Sequence, residues 1–269
     1  MKSILAILLL ASINALSQSQ AGVVLNVKDR SPVAYAKIGV EGKGVGTVAD
    51  ENGNFALVID NNKYKKDIIR FSCLGYVPYA ISVSDYQHMT DKTILLQEKN
   101  IAPAPVKQVP ATAKMKTYGT AGISNDVIEI NGGLPGSEVG LIFNFKDSSL
   151  LNKLTIKFES CSIDTIFYRV NVYDVTADKK FLNILNKPIY YKVPTGELEN
   201  RTISIDLSNE NVWVKGSKLI TVEQVRSFDG IIRFTGTKNG KSYARKASFA
   251  VWRVLPTTIS MQVQATSGK

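Results

Sequence analysis

Apolar residues recur at every second position along most of this chain. Val23, Leu25 and Val27 share one face while Asn26 and Lys28 take the other. Ile38 and Val40, then Phe55, Leu57 and Ile59, then Ile94 and Leu96 repeat the pattern. A period of two marks strands with one buried face. Short strands separated by turn residues at such intervals predict a β-sandwich. No stretch over residues 22–99 carries a helical period, so the region reads as an all-β domain of about seven strands. The alternation returns at Glu138. Leu141, Phe143 and Phe145 share a face, as do Leu154, Ile156 and Phe158, and Ile203, Ile205 and Leu207. Runs at 167–175, 218–226, 231–235 and 248–254 are also strand-like, and a second sandwich of jelly-roll type with about eight to ten strands is expected.

Residues 100–114 hold three prolines and several alanines, the composition of an extended spacer. Met115 to Gly136 is Gly-rich and gives no clear element. The expected organisation is a signal peptide at 1–17, a first domain at 18–99, a linker at 100–136, a second sandwich at 137–255 and a flexible tail at 256–269. A linker of this kind predicts that the two sandwiches move independently.

The leader reading rests on Lys2, the apolar run Ile4–Ala11 and the small residues of Ala15-Leu16-Ser17, which place cleavage before Gln18. The run is far short of the roughly 18–20 residues needed to span a bilayer. No later stretch is apolar for long enough, so no transmembrane segment is expected after leader removal. An exported protein follows.

Turn chemistry settles three decoys. In Asp50-Glu51-Asn52-Gly53-Asn54 the alternating oxygens suggest a calcium loop, but Gly53 falls at the fourth position of such a loop instead of the sixth, and the twelfth, which needs Glu, is Asn61. Asn52-Gly53 reads instead as a hairpin turn. Gly42-Lys43-Gly44-Val45-Gly46 lacks the helix of a dinucleotide loop. Gly236-Thr237-Lys238-Asn239-Gly240-Lys241-Ser242 is one residue short of a phosphate loop, and Asn239-Gly240 likewise predicts a hairpin turn.

The series Gly22-Val23-Val24, Ser31-Pro32-Val33-Ala34-Tyr35-Ala36, Gly46 to Phe55, Phe71-Ser72-Cys73-Leu74-Gly75-Tyr76 and Ile94 to Glu98 resembles the carboxypeptidase-regulatory-like domain. The resemblance covers residues 22–98 and implies a prealbumin-like seven-stranded sandwich with no catalytic residues of its own. Such domains stand beside carboxypeptidases and at the N-termini of TonB-dependent outer-membrane transporters; neither a peptidase domain nor a barrel follows here. Glu138-Val139-Gly140, Arg169 to Asp174 and Ile205 to Ser208 are similar to an uncharacterised domain that follows such modules in envelope proteins of Gram-negative bacteria.

Candidate chemistry is sparse. The single histidine, His88, excludes any site needing two, and SDYQHMTD reads as a polar surface loop. There is no GxSxG nucleophile elbow. Paired carboxylates remain open because their spacing is spatial. Cys73 reads as core and Cys161 as the close of another strand. No metal site and no cofactor are expected.

Residues 137–269 carry nineteen Lys and Arg against twelve Asp and Glu, so the basic excess of the chain belongs to this part. Lys238, Lys241, Arg245 and Lys246 sit on or beside the Asn239-Gly240 turn, a candidate contact for lipid phosphates or an acidic glycan, with a solvated surface as the alternative. Nucleic acid is not expected, because no aromatic platform is interleaved. Among Tyr190, Tyr191, Trp213 and Trp252, alternation sends Trp213 outward between Val212 and Val214, a candidate sugar platform. The sequence therefore predicts a non-enzymatic envelope binding or adaptor protein of the periplasm or outer membrane, whose partner is an envelope protein, a glycan or a lipid head group. A carbohydrate-binding protein of glycan uptake and a hydrolase or enzyme accessory without a recognisable motif are the alternatives.

Overall fold

The computed structural model describes residues 18–100, 112–122, 127–131, 133–178 and 180–267. The expected signal peptide and much of the expected linker lie outside them. The protein is all-β. Its first domain contains β1 (Gln18–Asn26), β2 (Lys37–Val40), β3 (Gly46–Val48), β4 (Asn54–Ile59), β5 (Ile68–Ser72), β6 (Tyr79–Ser82) and β7 (Thr93–Leu96). They form the expected seven-stranded sandwich, one sheet ordered β4-β1-β7 and the other β3-β2-β5-β6. The alternating residues of β2, β4, β5 and β7 meet between the sheets: Ile38, Val40, Phe55, Leu57, Ile69, Phe71 and Leu96 are buried in one cluster. In β1 the face is the reverse of the expected one: Val24 and Asn26 are buried, whereas Val27 is exposed.

Two single-turn helices escaped the periodicity. In α1 (Asn61–Tyr64) the Asp60 carboxylate accepts from the amides of Asn62 and Lys63; in α2 (Val83–His88) Ser82 Oγ accepts from Asp85 N. Both are capped starts, and each is too short to repeat an apolar face. The expected surface loop around His88 is therefore a helix, with the ring exposed against the Ser84 carbonyl.

The Asn52-Gly53 turn is present, with Gly53 at φ +77°, but it joins strands of different sheets, not a paired hairpin. Asp50 Oδ1 accepts from the amides of Asn52 and Asn54 at 2.9 and 2.8 Å, which commits the carboxylate to the bend. The Gly42–Gly46 segment closes a true hairpin between β2 and β3.

The second domain runs from β8 (Lys114–Gly119) and β9 (Val127–Asn131) through β10 (Glu138–Cys161), β11 (Thr165–Val175), β12 (Phe181–Asn183), β13 (Ile189–Pro194), β14 (Thr202–Asp206), β15 (Trp213–Gln224), β16 (Ile231–Arg245), β17 (Arg253–Ile259) and β18 (Met261–Ser267). Their main path is β12-β11-β15-β10-β16-β17. The 24-residue β10 joins two of the runs seen in the sequence. Its first half pairs with β15, its second with β14 and β18, and the register shifts between Phe145 and Ser149. A strand that changes partners across a bulge bends its sheet. Residues of both halves accordingly share one core with Val170, Val222, Ile203 and Met261.

Four expectations change here. Residues 114–119 and 127–131, assigned to the linker, are strands on β18 and β16. Residues 256–267, assigned to a flexible tail, complete β17 and form β18. Pro256 obscured this, but β17 is an edge strand, where proline is tolerated. Asn239-Gly240 is not a turn: β16 passes straight through it, with a register shift between Lys238 and Ser242. The run at 248–254 is a strand only from Arg253 on.

The two sandwiches are docked, contrary to the independence that the linker predicts. Tyr35, Val48, Phe167 and Val225 form a small apolar cluster between them. The Tyr35 ring meets Phe167 and Tyr190 edge-on, centroids 5.2 and 5.1 Å apart. Ser248 Oγ donates to Thr47 O at 3.0 Å, Gly42 N to Phe249 O at 3.0 Å, and Arg226 pairs with Glu51 at 2.6 Å. The contact surface comes from strands and loops of the two sandwiches, not from the linker.

Candidate functional site

The junction is built on one row of charges. In register across four adjacent strands stand Arg169 on β11, Glu223 on β15, Glu138 on β10 and Arg245 on β16. Their neighbours Val139, Val170 and Val222 point into the second domain's core. Strand alternation therefore sends the charged row to the opposite face, and that face is covered by the first domain. On β2, Ile38 and Val40 fill the first core and Lys37 reaches the row from the other side.

Glu223 takes Arg169 bidentately, Nη2 on Oε1 at 2.9 Å and Nε on Oε2 at 3.0 Å. Its Oε2 also accepts from Asn171 Nδ2 at 2.7 Å and pairs with Lys37 Nζ at 2.7 Å. Asn171 bridges to Glu138 Oε1 at 2.9 Å, where Tyr173 donates at 2.8 Å and Thr221 Oγ1 donates as well. Arg245 closes the row on Glu138 Oε2, its Nε at 2.8 Å. The guanidinium also lies over the Trp252 ring, 4.7 Å from its centroid.

Glu138, Arg169, Asn171 and Glu223 are all at most 1 % exposed. Buried charge persists only when paired and hydrogen-bonded. Burial opposes the Glu223 carboxylate, but Arg169 first and then Lys37 more than offset it and hold its pKa well below the usual range. For Lys37 burial wins: against the pull of Glu223 and Glu138, it brings the ammonium down to about 8. Burial also pushes up the free Cys73 thiol nearby, as expected of a core cysteine. Lys37, Arg169 and Arg245 face only Glu138 and Glu223, an excess of one positive charge in a dry place.

This row forms the floor of a cleft of about 1200 Å³ between the domains. Arg70 and Lys180 join Lys37, Arg169 and Arg245 in its lining, Arg70 paired with Glu41 and Lys180 with Asp178, so the excess of one positive charge is that of the buried row. Its apolar wall is Leu74, Phe181, Leu182, Val251 and Trp252, with Leu182 58 % and Val251 62 % exposed. Trp252 stands edge-on to Tyr173 and Phe181, centroids 5.8 and 5.4 Å apart. Tyr35 and Phe249, at the two sides of the junction, hold φ of 55° and 61°. Bulky residues seldom occupy that left-handed region outside constrained or functional positions.

The predicted basic cluster is not one surface. Lys238, Lys241 and Lys246 are exposed, but Arg245 is drawn inward onto Glu138, because no hairpin tip forms to project the four together. Trp213 does alternate outward: it is half-buried between buried Val212 and Val214. It lines a separate groove. Glu138, Arg169, Glu223 and Lys37 were missed as site residues. Their signal was present in Arg169-Val170-Asn171-Val172-Tyr173, polar groups alternating inside an otherwise apolar run. Among the described residues no three His, Cys, Asp or Glu side chains converge as a metal site.

Residues 20–106 match the family model of the CarboxypepD_reg-like domain. No curated protein matches the chain. Among solved structures, the cysteine protease and lectin-like domains of Cwp84, a surface layer associated protein of Clostridium difficile, share 12% identity over 83% of this chain and 46% of that one, with a TM-score of 0.36. The chain thus spans less than half of that protein's solved length. An infectious bursal disease virus structure, Gt strain, shares 12% identity over 93% of this chain and 64% of that one at a TM-score of 0.16. Likeness at these levels carries no statement about fold or activity.

Proposed function

We propose that this chain, whose first domain belongs to the CarboxypepD_reg-like family, is a non-enzymatic binding protein whose ligand occupies the cleft between its two domains. The ligand is an anion with an apolar body. The observation that carries this reading is the lining: a buried row that keeps one positive charge in excess, beside an exposed apolar wall that ends in Trp252. A desolvated cationic floor favours a carboxylate, sulfonate or phosphate, and the wall takes the hydrophobic part. Docking of the domains supports it, since a rigid cleft loses little freedom when it binds. A cell-envelope setting rests on the leader-like sequence before Gln18. Among the described residues no helix is long and apolar enough to cross a membrane.

The test uses Trp252 as reporter in a W213F protein. Laurate is titrated against lauryl alcohol, and saturable change in emission is expected with laurate only. Leu182→Asp places a carboxylate on the exposed rim without disturbing a core, and laurate should then bind at least about tenfold more weakly, about 1.4 kcal/mol. Equal response to the alcohol, or no loss in the rim variant, would reject the cleft as an anion site.

A further inference from the structure

Arg169 holds Glu223 bidentately and Arg245 holds Glu138, so each buried carboxylate of the row already has an arginine of its own. Lys37 is the odd cation. Its Nζ stands 2.7 Å from Glu223 Oε2, its side chain is 14 % exposed, and it lines the floor of the cleft. We propose that Lys37 is the group that selects anions in the cleft, and that the ligand's anionic end binds there together with the Lys37 proton. The inference rests on the cleft reading above and adds to it a specificity-determining residue and a dependence on pH.

Strand alternation puts Lys37 in this place. Ile38 and Val40 fill the first domain's core, so Lys37 and Gly39 leave the other face of β2 and meet the second domain. On its own sheet Lys37 is flanked by Val48 of β3 and Ser72 of β5, neither of which carries a charge. The charges that act on its ammonium come from across the junction. Glu223 and Glu138 hold the proton on, while Arg169 and Arg245 drive it off. Burial raises the Cys73 thiol and the Tyr173 phenol and pushes the Tyr190 phenol up to about 12, so these groups stay protonated while Lys37 titrates. At the rim Arg70 is paired with Glu41 and Lys180 with Asp178.

An unmatched positive charge in a poorly hydrated place can be relieved in two ways. One is loss of a proton. A guanidinium does not release its proton in this range, so the row can discharge only through Lys37. The other is an anion that enters the cleft and supplies the missing negative charge. The two compete. Once the ammonium is neutral the row is balanced, and an anion meets no excess charge. Once the anion is bound, loss of the proton would leave it unmatched. Linkage is reciprocal, so the anion raises the Lys37 pKa by as much as the proton strengthens the anion. Burial has already brought the ammonium down to about 8, where a carboxylate ligand is fully ionised. A neutral ligand of the same shape takes no part in this exchange, and that difference is the selection.

The experiment titrates laurate into the W213F protein at about pH 7 and about pH 9, with Trp252 emission as the readout; its carboxylate is ionised at both. Affinity should fall at least about fivefold from the lower to the higher pH. In carbon NMR of lysine-labelled protein, saturation with laurate should move the Lys37 titration upward by at least about one pH unit, and lauryl alcohol should leave it in place. Lys37→Met should bind laurate at least about tenfold more weakly at the lower pH and lose the pH dependence. Lys37→Arg carries a charge that alkali in this range does not remove, so it should bind at both pH values as the parent does at the lower one. A lysine that only held the domains together would not give that profile. Absence of laurate binding at either pH rejects the cleft as an anion site, and the proton coupling with it. Equal affinity at the two pH values, or a Lys37 titration that laurate leaves unmoved, rejects the coupling alone and leaves the cleft standing.

Discussion

Arg169 Nη1 donates to the backbone carbonyl of Tyr35 at 2.8 Å, joining residues 134 positions apart in the two domains. The same guanidinium holds Glu223 with its other two nitrogens. One side chain therefore satisfies a buried carboxylate of its own sheet and an orphan carbonyl of the other domain. Tyr35 presents that carbonyl from a left-handed backbone, φ 55°, and its ring is clamped by Phe167 and Tyr190.

The charges of this row are not interchangeable, and that gives the first prediction. Glu223→Gln leaves Arg169 and Lys37 both buried without their carboxylate, and removing one partner of a buried pair costs about 3–5 kcal/mol. Lys37→Met removes the cation that is in excess while Arg169 keeps Glu223, so stability should stay within about 1 kcal/mol of the parent or rise. Urea unfolding of the two variants measures the contrast. Equal losses would mean that Lys37 is as well compensated as Arg169.

The second prediction is a stability that rises with pH at both ends of the range. Lys37 titrates at about 8 in the fold against 10.5 in the unfolded chain. Between these values the unfolded state holds a proton that the folded state has released. Stability attributable to Lys37 therefore grows as pH rises from about 8, by up to about 1.4 kcal/mol per unit, and levels off near the free-lysine value. The Glu223 carboxylate has its pKa depressed, so its contribution is full above 4.5 and is lost as pH falls below that. Unfolding midpoints across pH for the parent minus Lys37→Met isolate the alkaline limb. A flat difference between pH 8 and 10 would remove Lys37 from the account.

Period-two alternation located most of the strands and most of both cores because it reports which face meets apolar partners. Leu141, Phe143 and Phe145 were legible for that reason, as was the outward turn of Trp213. The same signal misled at Glu138, Arg169 and Glu223. A polar face reads as a solvent face, and nothing local distinguishes water from a second domain that supplies Lys37 and the Tyr35 carbonyl. The four members of the row are spread over 108 positions, from Glu138 to Arg245, and only the strand register brings them together. At Asn239-Gly240 the dipeptide preference for a turn lost to the pairing of β16 with β17 on both sides of it. In the first domain the resemblance and the periodicity agreed, and the sandwich followed.

The third prediction concerns how closely the domains approach. Gly39 on β2 and Gly46 on β3 sit opposite each other in register, and both face the carbonyl of Ser248 in the second domain. A Cβ on Gly46 would lie 2.7 Å from that oxygen, and one on Gly39 would strike it as well. Neither glycine has positive φ. What each supplies is space, not conformational freedom. The obstacle is backbone held by Ser248 Oγ on Thr47 O, so it cannot rotate away as a long side chain could. Gly39→Ala should therefore push the sheets apart while leaving both sandwich cores intact. The parent should melt in one transition and resist protease. The variant should melt in two and be cut between residues 100 and 113. Gly44→Ala is the control, since a Cβ there meets nothing within 4 Å. Lys37 should also lose its buried environment in Gly39→Ala, so the alkaline gain in stability should disappear with the docking. A Gly39→Ala protein that behaves like Gly44→Ala in melting, cleavage and pH profile would show that the approach at Ser248 does not hold the domains together.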